Sequence, residues 1–309
     1  MRLLLIVNTS ASSVTARARV VIQTALATDH DVSVAETSRR GHATSLAQGA
    51  AADGVDVVVV LGGDGTLNEA ANGLAGTPTA LGVLPGGSTN VFARTLGMTN
   101  DPVEATGELL GALGRGSIRP VGLGTVNGRA FLFHVGFGYD AAVVAQVERR
   151  GSLKRYAGHT LFASAAVSTW FRHYDRRHPS FGLQATSRSP AVPVQELDDG
   201  YFGICLNTNP YTFLGTRSLD LAPGTNLDTG LTMVTLRRLD LATLVPLAVA
   251  ALRGRGVAGR RNAAVATDLA SVTLEGHRPV PYQVDGDHLG EAARFDLLYW
   301  EGALRLVVP

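Results

Sequence analysis

Two short strings hold most of the residues in the first hundred positions that could do chemistry. The first, Gly62-Gly63-Asp64-Gly65-Thr66-Leu67-Asn68, follows the apolar run Val57–Leu61. The second, PGGSTNVFAR from Pro85 to Arg94, follows the apolar stretch that ends at Leu84. Glycines let a backbone take positive φ and approach a ligand closely. Their amides, joined to a helix N-terminus, suit a phosphate. An aspartate in such a loop repels phosphate unless a cation lies between them, so Asp64 points to magnesium shared with nucleotide phosphates. The alternative is an ordinary strand-to-helix turn in which Asp64 is only a cap. Asn8-Thr9-Ser10 forms a third turn of this kind after the first apolar run. The only lysine is Lys154, and there is no GxxxxGK[ST] string. Bound phosphates would therefore depend on amides, hydroxyls, arginines and metal.

The elements around these strings alternate. LLLIVN, DVSVAE, VDVVVVL and TALGVLP read as strands, with helix-period segments between them. Leu67, Ala70, Ala71 and Leu74 share one helix face. Asp101, Pro102 and Glu104 mark a helix start. Strands alternating with helices predict a Rossmann-like parallel sheet covered on both faces. The strand ends of such a sheet are where ligands bind. From about Ile118 the rhythm changes to strand-like runs separated by turns, among them the hairpin signal Asn127-Gly128. Two helices interrupt, at about 156–173 and 241–253. The expectation is an α/β domain over 1–122 and a β-rich domain over 123–296, an antiparallel β-sandwich. The last strand, about 297–309, returns to the first domain.

The 309 residues carry a formal net charge of +1, which argues against nucleic-acid binding through a strongly basic surface. The single cysteine, Cys205, makes no internal disulfide, and no Cys/His spacing suggests zinc. The apolar run at the N-terminus is too short for a signal peptide, and LATLVPLAVAALRG is too short to span a bilayer. The expectation is a cytoplasmic protein, peripheral at most to the inner face of the membrane. Basic residues cluster at Arg149, Arg150, Lys154 and Arg155, and at Arg253, Arg255, Arg260 and Arg261. They are either solvated faces or contacts to an anionic membrane. His134, His159 and His173 are isolated and read as structural.

GGDGTLNE together with LPGGSTNVFAR resembles the diacylglycerol kinase catalytic family, which includes bacterial lipid kinases and sphingosine and ceramide kinases. Its wider superfamily includes NAD kinases and phosphofructokinases. GFGYDA and QVDGD extend the resemblance over nearly the whole chain. It implies two domains with ATP in the cleft between them. It places Asn8, Thr9, Ser10 and Thr37 at the nucleotide and Gly62, Gly63, Asp64, Gly65, Thr66, Leu67 and Asn68 at its phosphates. Ser88 stands where many members have threonine. Asp285 falls where the family has the base for the lipid hydroxyl; read alone, Asp285-Gly286 is a hairpin turn. Asp287 replaces a glutamate. Asn226, Asp228 and the Leu231 carbonyl match a structural magnesium loop in which Thr229 replaces a carboxylate. Asp140 either contacts the acceptor head group or caps a helix.

The function implied is transfer of the ATP γ-phosphate to a hydroxyl of diacylglycerol or a related lipid, with Asp285 and Asp64 in catalytic roles. The alternatives are an NAD kinase-like phosphotransferase and a catalytically silent nucleotide sensor. A homodimer is also compatible with the family.

Overall fold

The computed structural model describes residues 1–149 and 178–309. The helix expected at about 156–173 lies outside the described residues, as do Arg150, Lys154, Arg155, His159 and His173. The chain divides into two units, Met1–Leu123 with Glu301–Pro309, and Gly124–Trp300. The expected boundary was 122/123, with the return at about 297.

In the first unit the strands are β1 (Arg2–Val7), β2 (Asp31–Glu36), β3 (Val57–Gly62) and β4 (Ala80–Pro85). The end of β15 (Asp287–Val307) joins them, with Arg305 and Leu306 paired to Ala80 and Leu81. All pairings are parallel, in the order β2-β1-β3-β4-β15. Helices α1 (Ala16–Ala27) and α5 (Pro102–Gly114) pack together, as do α2 (His42–Ala52) and α3 (Asp64–Leu74). Every residue of β3 and β4 is buried. Such strands are apolar without alternation because both sheet faces are covered. The predicted cap holds: the Asp101 carboxylate accepts the amides of Val103 at 2.8 Å and Glu104 at 3.0 Å. The short helix α4 (Val91–Thr95) follows the second glycine string.

β1 has β2 on one side and β3 on the other. The chain therefore reverses its direction of travel across the sheet between β1 and β3. At such a switch point the loops leave in opposite directions and a crevice opens beyond the strand ends.

The second unit is antiparallel throughout. Its strands are the end of β5 (Ile118–Val126), β6 (Arg129–Phe131), β7 (His134–Gly138), β8 (Phe181–Ser187), β9 (Gln195–Gly200), β10 (Phe202–Leu206), β11 (Thr212–Leu214), β12 (Arg217–Leu219), β13 (Leu231–Leu236), β14 (Ala263–Val284) and most of β15. LASVTLEG and VPYQV are parts of one 22-residue strand, β14. β14 pairs with β13, β8, β15 and β7 along its length, and its register shifts between Glu275 and Val280. Asn127-Gly128 turns β5 into β6 with φ of 48° and 82°. Two positive φ angles are what a two-residue primed hairpin turn requires. Two helices complete the unit: α6 (Tyr139–Arg149) and, as α7, Leu241–Leu252.

Candidate functional site

In the first unit, the residues singled out from sequence gather at the carboxyl ends of β1 to β4. Three loops meet there. Asn8 donates from Nδ2 to Thr66 Oγ1 at 2.8 Å, and its amide donates to Leu61 O at 3.0 Å. Ser10 N donates back to Asn8 Oδ1 at 3.0 Å, closing a turn that leaves Thr9 and Ser10 exposed. Ser13 reaches the second glycine string, with its amide on Gly86 O at 2.9 Å and its hydroxyl on Gly87 O at 3.1 Å. Thr37, just after β2, donates its amide to Val7 O at 2.9 Å.

The two glycine strings lie against each other. Gly86 N donates to Gly62 O at 2.8 Å. A Cβ added at Gly86 would stand 2.8 Å from Gly62 Cα, and one at Gly87 would stand 2.9 Å from Gly63 Cα. The expectation of positive φ is corrected here. None of Gly62, Gly63, Gly65, Gly86 or Gly87 has a positive φ; Gly63 sits at φ −86°, ψ 176°. The strings are glycines because two backbones touch. The left-handed residue is instead Asn90, at φ 51°. Asn90 is buried and closes its loop by bonding both the amide and the carbonyl of Gly87, at 2.8 and 2.9 Å. Sequence reasoning passed over Asn90, although asparagine's tolerance of the left-handed region was a usable signal.

Asp64 points at the second string. Its carboxylate accepts the amides of Val91 at 3.0 Å and Phe92 at 3.1 Å, the first residues of α4. It thus caps a helix, though not the one it begins. α3 starts at Asp64 with Gly63 as N-cap and no side-chain cap bond. The first amides of a helix have no intrahelical acceptor; the Asn8 turn reaches the first turn of α3 through Thr66, and Ser88 is exposed. Glu69, the last residue of GGDGTLNE, works elsewhere. Its carboxylate accepts Gly41 N at 2.7 Å and Ala43 N at 3.2 Å, holding the start of α2.

In the second unit, Asp285-Gly286 is a hairpin turn between β14 and β15, with φ of 47° and 85° and Val284 paired to Asp287. Asp287 is half-buried at the start of β15. The Asp285 carboxylate turns inward, 4% exposed, and accepts three consecutive amides: Leu132 at 2.7 Å, Phe133 at 3.0 Å and His134 at 3.0 Å. Beside it runs a second buried network. Asp140 is 3% exposed; one oxygen accepts the Tyr211 hydroxyl and the other accepts Gln283 Nε2 at 2.8 Å. Gln283 Oε1 then accepts Gly286 N at 2.7 Å. Asp140 is therefore not open to a head group in this structure, and it supports the Asp285-Gly286 turn through Gln283. Tyr211 and Gln283 lie 71 and 143 residues from Asp140 in sequence, so no local pattern pointed to them.

Burial pushes the Asp140 carboxyl above the usual range, opposed by the bonds from Tyr211 and Gln283. Burial and the neighbouring Asp140 push the Tyr211 phenol up. His134 stacks against Tyr211 with ring centroids 4.6 Å apart, and burial pushes its imidazole down to about 3. It is neutral at physiological pH, in keeping with a structural role.

In the loop expected to hold magnesium, part of the donor set is bonded within the loop. Asn226 Oδ1 already accepts Asp228 N at 2.9 Å. The Thr229 hydroxyl accepts Asn226 N at 3.1 Å and donates to Asn226 O at 2.9 Å. The loop closes on itself with a hydroxyl where a second carboxylate would stand. Among the described residues no group of three or more His, Cys, Asp or Glu could hold a metal. Both oxygens of Asp64 are likewise engaged by amides.

A doubly wound parallel sheet, with three bonded loops over its switch point, places the first unit in the class of α/β domains that bind ligands beyond their strand ends. Residues 2–126 match the model of the diacylglycerol kinase catalytic domain. It is 29% identical over 238 residues to the "Diacylglycerol kinase" of Bacillus subtilis (strain 168), covering 74% of this chain and 70% of that one. It is 29% identical over 215 residues to the "Probable lipid kinase YegS-like" of Pseudomonas aeruginosa (strain UCBPP-PA14), covering 64% and 70%. Two solved structures from Bacillus anthracis str. Sterne, "a putative diacylglycerol kinase" and "a diacylglycerol kinases", match over 100% of this chain. They superpose with TM-scores of 0.76 at 22% identity, over 95% of one, and 0.67 at 21%, over 97% of the other. These likenesses establish the shared fold.

Proposed function

We propose that this protein is an ATP-dependent lipid kinase that phosphorylates a hydroxyl of diacylglycerol or a related lipid. The observation that carries the reading is the junction of Asn8, Thr66, Gly62–Gly63 and Gly86–Gly87 over the switch point of a diacylglycerol kinase catalytic domain. When bound, ATP supplies the transferable phosphoryl group. The uncapped start of α3 and the hydroxyls of Thr9, Ser10, Thr66 and Ser88 offer amide and hydroxyl donors to its phosphates. Thr37 borders the same strand ends. Magnesium, in this reading, arrives with the nucleotide; at the 226–231 loop the Asn226 side-chain oxygen is already bonded to Asp228 N.

On the acceptor side, Asp285 takes the proton of the lipid hydroxyl. Its carboxylate already accepts three amides, so the alcohol must compete with the backbone for it. Asp140, Gln283 and Tyr211 are positioning residues that hold the Asp285-Gly286 turn. The same three amide bonds also favour a second reading, a nucleotide-binding protein without turnover, in which Asp285 serves only the fold.

Labelled ATP incubated with a fractionated lipid extract separates the two. Labelled product lost in Asp285→Asn, with melting temperature and ATP affinity kept, supports the kinase and its base. ATP binding by wild type without any labelled lipid supports the silent reading. Full turnover by Asp285→Asn refutes the base assignment.

A further inference from the structure

Helix α7 packs one side and leaves an apolar side in water. Thr243, Leu247, Ala250 and Ala251 are buried, and Leu247 joins a core with Ile204, Val234 and Leu236. Leu241, Val245 and Val249 recur every four residues on the outside, 56%, 56% and 40% exposed, with Leu252 following them. Ala242, Pro246 and Ala248 lie exposed between them, and the helix has no charged residue. A surface helix ordinarily turns charges outward. No helix among the described residues is long and apolar enough to cross a membrane. Twelve residues span only about 18 Å. Such a helix can lie in a bilayer interface but not across it.

The rim of this face is basic. Arg238 precedes the helix, Arg253 and Arg255 follow it, and Arg260 and Arg261 come on the return; all five are exposed. Two acids lie near. Asp240 caps the helix through Thr243 N at 2.8 Å and stands 3.7 Å from Arg238. Asp220 accepts Asn209 Nδ2 at 3.0 Å and the Ser218 hydroxyl at 2.9 Å. A hollow of about 460 Å³ opens against the N-terminal half of the helix, its lining including Pro246 and Leu247, the arginines Arg238, Arg260 and Arg261, and Asp240. An apolar lining with three arginines matches a lipid near its phosphate. A second copy of this chain is a poor match, because an isologous contact would bring the same arginines together from both sides.

We propose that α7 docks the protein on an anionic bilayer. Leu241, Val245, Val249 and Leu252 enter the head-group boundary, and Arg238, Arg260 and Arg261 take a lipid phosphate in the hollow beside Pro246. The lipid-kinase reading supplies the reason for docking, since the substrate resides in the bilayer, but the surface can be tested apart from it.

The test is co-sedimentation of the whole protein with phosphatidylcholine vesicles, with and without phosphatidylglycerol. Binding is expected only with phosphatidylglycerol, and it weakens as salt rises. Val245→Glu/Val249→Glu abolishes it. Arg260→Gln/Arg261→Gln weakens it about 25-fold, near fivefold per arginine at an anionic surface. Both variants keep the wild-type melting temperature, and both phosphorylate a short-chain diacylglycerol in detergent as wild type does. Vesicle binding unchanged in the valine variant overturns the proposal. So does the absence of wild-type binding, or a change from dimer to monomer in that variant, which would make the face a contact between copies. If vesicles bind through α7 but no lipid is phosphorylated, the docking surface stands and the kinase reading falls. If dispersed lipid is phosphorylated without vesicle binding, the reverse holds.

Discussion

Replacing Gly86 with alanine tests why the glycine strings exist. The new Cβ would stand 2.8 Å from both Cα and N of Gly62 and 2.9 Å from Val14 Cγ2. Carbon atoms in good contact sit about 3.5–4.0 Å apart, so the loops must separate by nearly an ångström. The obstacle is backbone, which cannot rotate away. Overpacking of this kind costs about 1–3 kcal/mol. Parting the loops also stretches the Gly86 N to Gly62 O bond, now 2.8 Å, which adds about 1 kcal/mol. The expected loss is about 2–4 kcal/mol, read as a drop in urea midpoint followed by circular dichroism. Gly63→Ala is the control. Its Cβ meets Gly87 Cα at 3.5 Å and Gly87 N at 3.9 Å, ordinary contacts, and its φ of −86° suits any residue. Its stability should stay within about 0.5 kcal/mol of wild type. In the proposed function Gly63 also precedes the phosphate-binding amides, so Gly63→Ala should lower ATP affinity, measured by calorimetry, while the fold survives. Equal destabilisation by the two substitutions would refute the close-approach account and return the glycines to a purely conformational role.

Other expectations follow from the same geometry. Asp64→Ala should cost about 1–3 kcal/mol by leaving the Val91 and Phe92 amides without their acceptor, measured in the same denaturation assay. Between pH about 3 and 6.5 the unfolded chain binds a proton at His134 that the folded chain refuses, so this group's stability is present above pH 6.5 and lost as pH falls. From pH 7 to 5 that loss is about 2 kcal/mol. Asp140, raised by burial, acts in the opposite direction, so the measurement is the change in that pH difference on His134→Phe, which should shrink it. Magnesium without nucleotide should leave the wild-type melting temperature unchanged, while Thr229→Asp, which restores a carboxylate to the 226–231 loop, should make it rise with magnesium.

The fold was legible where a local pattern has one physical meaning. The valines at 57–60 could only be a strand buried on both faces, and Asp101-Pro102 could only begin a helix. The Asn127-Gly128 hairpin was equally readable, since both positions require positive φ. The length of β14 was not. Gly276 and Pro279 interrupt the strand pattern, yet the chain passes through a register shift and continues. At the candidate site, sequence reasoning found which residues gather at the strand ends but misjudged what their groups do there. Asp64 was expected to face a cation and faces the amides of α4. Asp140 was read as a head-group contact or a helix cap and lies buried against Tyr211 and Gln283. Such partners sit far away in the chain, and hydrogen-bond partners at that distance leave no spacing to read.

Asp64, Asp285 and Glu69 share one device. Each is a carboxylate of a recognisable motif, and each accepts backbone amides from a different segment: residues 91–92, 132–134, and 41 and 43. A buried amide needs an acceptor, and a carboxylate is the strongest acceptor a side chain offers. These residues fix the positions of the loops and the turn whether or not they also take part in chemistry. Loss of activity on substituting Asp64 or Asp285 would therefore not identify a catalytic group. The informative comparison is between asparagine and alanine at the same position. Asparagine keeps one oxygen for the amides and removes the charge, whereas alanine removes both. If Asp285→Asn retains most of the stability that Asp285→Ala loses, and both are inactive, the charge itself is needed for turnover. If activity instead follows stability through the pair, Asp285 acts by holding the 132–134 backbone, and the proton acceptor must be sought in another group.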